Sequence, residues 1–252
     1  MRLVGDLHIH SVGSGHAYST VAEIIEAARA KQLQLIAITD HGPAMPGGPH
    51  PYHFGNLCVL PEEVKGVRLL KGVEANIMDR QGNLDLGQNY LEKLDVVLAG
   101  FHPDCFPAAS KEAYTEALIN TIRNPLVDII VHPGNPQFTV VYEKIVKEAA
   151  RAGVALEINN SSLCGSRQGS APNCSYIAEL LASSGGPVFV GSDAHWAADV
   201  GRFDRAVELL LKAGIKEEQV INTSVDKITQ YLAGRRRARK QVKERGGISY
   251  GR

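Results

Sequence analysis

The sequence predicts a parallel α/β fold whose strands close, or nearly close, into a barrel. Three observations carry this expectation. Seven short apolar runs rich in β-branched residues recur along the 252 residues, each of a length that suits a buried parallel strand. Amphipathic segments at helical spacing lie between several of them, and strand–helix alternation is the signature of a parallel sheet. The chain has neither a Gly-rich dinucleotide fingerprint nor a P-loop, which removes the main support for a doubly wound nucleotide-binding sheet. A barrel of this length is an ordinary single domain.

The elements follow in order. The first strand is expected over 3–9, and the segment 19–33, "STVAEIIEAARAKQL", opens with a capping Ser/Thr and Glu23 before its apolar stripe. "LIAIT" at 35–39 is the second strand. The Gly/Pro-rich "HGPAMPGGPHPYHFG" at 41–55 is a long loop suited to a lid or a substrate-facing wall. "RLLKGVEANI" at 68–77 and "VVLAGF" at 96–101 are the third and fourth strands, followed by a helix over 110–124. "DIIVH" at 128–132 and a helix over 139–153 come next, then "ALEIN" at 155–159 and a helix over 173–185. "VFVGS" at 188–192 and a helix over 200–214 complete the alternation. No repeat appears beyond this alternation.

Composition sets limits. The formal net charge is zero, so no global attraction to nucleic acid or to a membrane is expected. No apolar run approaches the roughly 18 residues of a membrane span, and the N-terminus lacks the basic start and apolar core of a signal peptide. The four cysteines (58, 105, 164 and 174) form no CxxC pair, so we expect reduced thiols in a cytoplasmic protein. The basic segment 235–252 is expected to be a solvated, flexible extension of a barrel domain spanning 1–234.

Against this plain background the histidines are unusual. Three of nine fall in "HIHSVGSGH": His8, His10 and His16. His8 and His10 end the first strand, and Asp40 and His41 end the second. Glu74 is late in the third. His102 follows the fourth, His132 ends the fifth, and Asp193 and His195 follow the seventh. In parallel α/β folds, sites form at the carboxyl ends of strands. Residues i and i+2 of a strand share a face, so His8 and His10 can serve one ion, as can Asp193 and His195. Each motif alone has an ordinary explanation as a turn, a cap or a core pair. Seven of nine histidines at strand ends or, for His16, in the loop just beyond one do not. Seven imidazoles with Glu74 and Asp193 exceed one tetrahedral site and suit two or three divalent ions, with Glu74 able to bridge. His50 and His53, in the middle of the long loop, are read as non-ligands.

The ordered motifs "DLHIHS…H", "TDH", "GVEAN", "FH", "HPG" and "GSDAH" resemble the polymerase-and-histidinol-phosphatase (PHP) superfamily. "VHPGNP" and "LEINNSSLCGSRQGSAPNC" look like its stand-alone YcdX-type bacterial phosphatases. The resemblance covers about residues 1 to 234. It implies a distorted (βα)7 TIM-like barrel with three divalent ions on its C-terminal rim. Zinc is the first expectation, with manganese or iron as alternatives. It further implies one ion on His8, His10, Glu74 and Asp193, a second on Glu74, His102 and His132, and a third on His16, His41 and His195. Asp6 and Asp40 then look like carboxylates supporting bound imidazoles, or else caps at strand–loop junctions. A homotrimer is also implied. "FHPDCFPAAS", after the fourth strand, departs from the family pattern and is expected to alter the substrate opening.

The expected chemistry is hydrolysis of phosphate monoesters of a small substrate, with Glu74, Asp193 and His195 as catalytic candidates. Arg167 is the candidate phosphate clamp, because a guanidinium binds phosphate bidentately. Asn160, with Asn159 and Ser161, is expected on the same rim. The alternative enzyme is a phosphodiesterase or exonuclease of the same superfamily, disfavoured because no basic groove appears outside the tail. The remaining alternative is a non-catalytic, metal-stabilised binding module.

Overall fold

The computed structural model describes the backbone of residues 1–245 and the side chains of 1–238. Among the described residues eight strands are present: β1 (Gly5–Asp6), β2 (Leu35–Ile38), β3 (Glu63–Val64), β4 (Val67–Asn76), β5 (Val96–Gly100), β6 (Ile129–Ile130), β7 (Ala155–Asn159) and β8 (Val188–Gly191). The helices are α1 (Val21–Ala30), α2 (Tyr52–Asn56), α3 (Gln88–Leu91), α4 (Lys111–Arg123), α5 (Tyr142–Ala152), α6 (Asn160–Leu163), α7 (Ser170–Ser184), α8 (Asp204–Ala213) and α9 (Val225–Arg245). Seven strands pair in parallel in the order β1-β2-β4-β5-β6-β7-β8, and β3 adds an antiparallel hairpin to β4. The sheet curls until its ends almost meet, giving a distorted TIM-like barrel with the helices outside.

Local chemistry explains the outer helices. Thr20 and Glu23 form a reciprocal capping box on α1, and Ser110 caps α4. Gly153 and Gly214 end α5 and α8 in left-handed conformation. The sequence expectation over 41–55 needs refinement, because the loop ends in α2. Two expected strands are shorter than their apolar runs. The first is regular only at Gly5–Asp6, because Ile9 N–H donates to the Thr39 hydroxyl (3.0 Å) instead of a strand carbonyl. The fifth is regular only at Ile129–Ile130, because His132 (φ 35°) has left the extended region.

The seam between β1 and β8 is stitched by side chains. One parallel bridge, Ile9 to Ala194, is present there. Below it the fully buried Asn222 donates to Gly5 O (2.9 Å) and Val190 O (2.8 Å) and accepts from Val190 N (3.3 Å). Asp6, also fully buried, accepts backbone N–H groups of His8, Ser192 and Gly201. Asp6 touches no imidazole ring; of its two expected roles, the structure shows the junction role. Burial raises its carboxyl to about 6, even though those hydrogen bonds favour the ion.

Inside the barrel, Leu7, Leu35, Leu98, Ile129 and Phe189 form an apolar layer, closed from below by Ile228 and Leu232 of α9. Tyr231 donates to the Asp128 carbonyl (2.5 Å), and the buried Arg235 donates to Ala152 O (2.7 Å) and Val127 O (2.6 Å). The basic segment expected from 235 therefore begins within α9, anchored to the barrel by the buried Arg235; residues 246–252 lie outside the described residues. Among the described residues no helix is long and apolar enough to cross a membrane. All four cysteines are free thiols.

Candidate metal centre

At the carboxyl ends of the strands, above the apolar layer, the polar residues converge. The backbone turns sharply to place two of them. His132 (φ 35°) and Asp193 (φ 55°) adopt left-handed conformations, which cost non-glycine residues roughly 1–2 kcal/mol each. Hydrogen bonds hold them there: His132 N–H donates to Glu157 Oε2 (2.7 Å), and Asp193 N–H donates to His8 O (3.0 Å).

Glu74, fully buried, is the centre of the cluster. Its Oε2 lies 3.3 Å from His8 Nε2 and 3.3 Å from His10 Nε2. Asp193 Oδ1 lies 3.5 Å and 3.3 Å from the same two nitrogens. These four buried atoms make no hydrogen bond. Four donors around an ion with bonds of 2.0–2.1 Å stand roughly 3.3–3.4 Å apart along the edges of a tetrahedron. The four imidazole–carboxylate separations are those expected between neighbouring ligands of one ion, and an orphaned set of buried polar atoms would otherwise be costly.

Glu74 Oε1 faces the other way, 3.0 Å from His102 Nε2 and 2.7 Å from His132 Nε2. Ligand atoms within 4.8 Å of one another form four sets: His8/His10/Asp193, His8/Glu74/His132, His41/Glu74/His102 and His10/His41/His195. The expected third set, His16 with His41 and His195, differs from the last of these. His10 joins His41 and His195, while the His16 ring stands 4.9 Å and 5.0 Å from theirs, centroid to centroid.

Hydrogen bonds on the far side of the His8, His10 and His195 rings fix their tautomers. His8 Nδ1–H donates to Glu157 Oε1 (2.7 Å), leaving the Nε2 lone pair for the cluster. Gly191 makes this possible: a Cβ there would come within 2.0 Å of the Glu157 oxygen. His195 Nδ1–H donates to Asp193 O (3.1 Å). Asp40 reaches His10 through Ser14. The Ser14 hydroxyl donates to Asp40 Oδ1 (2.7 Å), so its oxygen accepts from His10 Nδ1–H (3.1 Å). Glu157 and Ser14 are missed by sequence reasoning. The available signal for Glu157 is a lone carboxylate inside the apolar strand "ALEIN".

Electrostatics favour the ligand state. Burial opposes ionisation of Glu74, but His41, His102 and His8 outweigh it and hold the carboxyl well below the usual range. Burial likewise opposes ionised Asp193, and Arg167 and His8 overcome it. Burial holds His41 well below the ordinary imidazole value. Burial and the charge of Arg167 lower His132 to about 4, and burial with the charge of His10 lowers His195 to about 4. Burial also opposes a charged His8, but Glu157, Glu74 and Asp193 hold it well above its ordinary value. His41, His132 and His195 are thus held neutral beside ionised Glu74 and Asp193, as a divalent cation requires, whereas the raised His8 and His10 must each release a proton as an ion binds.

A cavity of about 620 Å³ opens over this cluster, with His16, His102, Asp193, His195 and Arg167 in its wall. Pro103, from the "FHPDCFPAAS" segment, and Met45, from the long loop, also line it. Arg167 Nη1 donates to Asp193 Oδ2 (2.7 Å), which ties the guanidinium to the cluster. Ser161 lines the cavity too. Asn160 is placed differently from its expected substrate-binding position. Its buried amide accepts from Ala206 N (3.0 Å) at the start of α8, and it borders a smaller side pocket of about 210 Å³. Asn159 donates to Glu157 Oε2 (3.0 Å) and Asp193 Oδ2 (3.3 Å), so it orients carboxylates of the cluster.

Comparison with known proteins places this arrangement. The family model described as PHP domain matches residues 6–161. A protein named "Probable phosphatase" from Caldanaerobacter subterraneus subsp. tengcongensis is 54% identical over 238 residues, covering 94% of each chain. Another of that name from Acetivibrio thermocellus is 50% identical over 232 residues, covering 92% of this chain and 96% of its own. Among solved structures, histidinol phosphate phosphatase from Lactococcus lactis, complexed with zinc, L-histidinol and phosphate, superposes with a TM-score of 0.57. It is 18% identical, and the match covers 84% of this chain and 94% of that one. A Listeria monocytogenes protein described as a histidinol phosphatase gives 0.61 at 16% identity, with 80% and 99% covered. At such identities the likeness concerns the fold.

Proposed function

The chain belongs to the PHP domain family, and from that premise we propose that it is a metal-dependent phosphatase acting on phosphate monoesters with three divalent ions at the barrel rim. The observation that carries this reading is the quartet of orphaned, buried ligand atoms on His8, His10, Glu74 and Asp193, whose imidazole–carboxylate separations of 3.3–3.5 Å suit neighbouring ligands of one ion. Those four residues would hold one ion. Glu74, His102 and His132 would hold the second, and His16, His41 and His195 the third. Zinc suits this histidine-rich set best, with manganese and iron as alternatives. The zinc and phosphate bound by the Lactococcus lactis protein support both the metal and the substrate class.

When bound, the ions supply Lewis acidity that makes water a better nucleophile and offsets phosphoryl charge. The protein's own groups do the rest. Arg167 meets the phosphate from the cavity wall, its orientation fixed by Asp193. Asp193 and His195 line the same cavity and are, with Glu74, the catalytic candidates. Glu74 stays ionised and shares its two oxygens between neighbouring sets of imidazoles. Overall, water adds to phosphorus, the ester oxygen leaves as an alcohol, and inorganic phosphate is released.

The test is turnover of p-nitrophenyl phosphate against its bis-diester and single-stranded DNA, with metal analysis in parallel. Monoester turnover with three ions per chain is expected. Glu74→Gln should lower turnover by roughly 10²–10³-fold. His16→Ala should cost one ion and leave the His8/His10 set filled. Diester or DNA turnover far above monoester turnover would make the protein a phosphodiesterase instead. A metal-free, folded and inert protein would overturn the reading. Light scattering checks the trimer, and a phosphometabolite panel would name the substrate.

A further inference from the structure

Of the two histidines read as non-ligands, His50 stays on the surface, where its Nδ1 accepts from Tyr52 N (3.1 Å). His53 does something different. It sits in α2, its side chain 30% exposed, and its Nε2–H donates to Asp40 Oδ2 at 3.0 Å. Asp40 is buried and collects the whole loop that carries His16. Its Oδ1 accepts from Ser11 N (2.7 Å) and from the Ser14 hydroxyl (2.7 Å), and its Oδ2 also accepts from the Ser11 hydroxyl (2.8 Å). Ser14 in turn accepts from His41 N (3.1 Å) and orients His10.

The two loops also interlock by shape. Gly15 (φ 80°) faces Gly47, and a Cβ on it would come within 2.2 Å of the Gly47 carbonyl. Nothing in 11–16 reaches the cluster through regular secondary structure; the only helical turn there is the short one at Val12–Ser14. Its shape is set by Asp40, and Asp40 is set from the solvent side by His53.

We propose that His53 is a positioning residue: by donating to Asp40 it latches loop 41–56 onto loop 11–16 and so holds His16 and His41 in register for the third ion. This rests on the three-ion reading above. The second set depends on different supports, chiefly Glu157 through His132 N–H, and His8 of the first is held by Glu157 as well, while His10 of the first shares Asp40 through Ser14. Loss of the latch should therefore weaken the third ion most, the first less through His10, and the second not at all. Partners of this kind typically contribute 10–100-fold in metal affinity.

The test uses His53→Phe, which keeps a ring of similar size against Phe54 but lacks the donor. Full-length protein is stripped and titrated with Zn²⁺, with ion count and affinity read by calorimetry and elemental analysis. Wild type should hold three ions. His53→Phe should hold the second ion as tightly as wild type, the first more weakly by a smaller factor, and the third 10–100-fold more weakly, with an unchanged circular dichroism spectrum. His53→Gln, whose amide can donate to Asp40, should recover most of the loss. Should His53→Phe fail to fold, His53→Gln against His53→Leu makes the same comparison. Three equally tight ions in both His53→Phe and wild type would overturn the latch and leave the three-ion reading standing. Fewer than three in wild type would overturn that reading and the latch with it. Equal loss at all three ions would overturn the latch, showing His53 to be a general structural residue.

Discussion

β2 sends Leu35 and Ala37 into the barrel floor and, just past its end, Asp40 and His41 to the rim. β8 does the same with Phe189 below and Asp193 and His195 above. The two ends of the barrel thus use the same strands and obey different rules. At the floor, Phe189, Leu98 and Ile228 contribute by filling volume, and no single contact is unique. At the rim, specific pairings replace interchangeable contacts. Glu157 is the clearest case: one oxygen accepts His8, and the other accepts His132 N–H and Asn159. A floor residue should therefore be read out as stability and a rim residue as ion affinity.

The largest expected effect is at the floor. Phe189→Ala, at a fully buried position, should cost about 3–5 kcal/mol in urea unfolding. The folded fraction should bind as many ions as wild type; a changed ion count would show that floor and rim are not separable. Next comes Glu157→Gln. An amide offers one acceptor oxygen where the carboxylate offers two, so a donor on His8 or His132 must lose its partner. Zinc titration should show roughly 10–100-fold weaker binding. A loss of stability rivalling that of Phe189→Ala would erase the distinction.

The smallest effect is outside both ends, on α5. Hydrogen bonds from Arg151 and Arg123 lower the Glu148 carboxyl from 4.5 to about 2. A depressed acid stabilises the fold above its unfolded value and loses that contribution as pH falls through the window between 4.5 and 2. Glu148→Gln should lower stability by under about 1 kcal/mol near neutral pH, since the pair is on the surface. Repeating the melts towards pH 2 should bring the two proteins together; a constant gap would assign the effect to packing.

The floor was largely legible in the sequence because burial leaves an apolar run wherever it happens. The alternation and the barrel follow from that. The rim was legible in residue type: imidazoles at strand ends stand out even before their geometry is known. Partnership was not legible. Asp6 and Asp40 read alike, yet Asp6 stitches the β1/β8 seam while Asp40 reaches His10 only through Ser14. Asn160 read like a rim residue, but its amide is engaged by Ala206. Arg235 read as solvated because its acceptors are the carbonyls of Val127 and Ala152, and a carbonyl has no letter in the sequence.

Asn222 joins Gly5 across 217 positions, and the helix that seals the floor begins only three residues later. On the ribosome, a nascent chain could expose every strand and still have an open seam and a wet interior. Closure of so long a loop comes late and at a high entropic cost. Until then the apolar layer meant for Ile228 and Leu232 faces water, and that interval is when this protein would most need a chaperone.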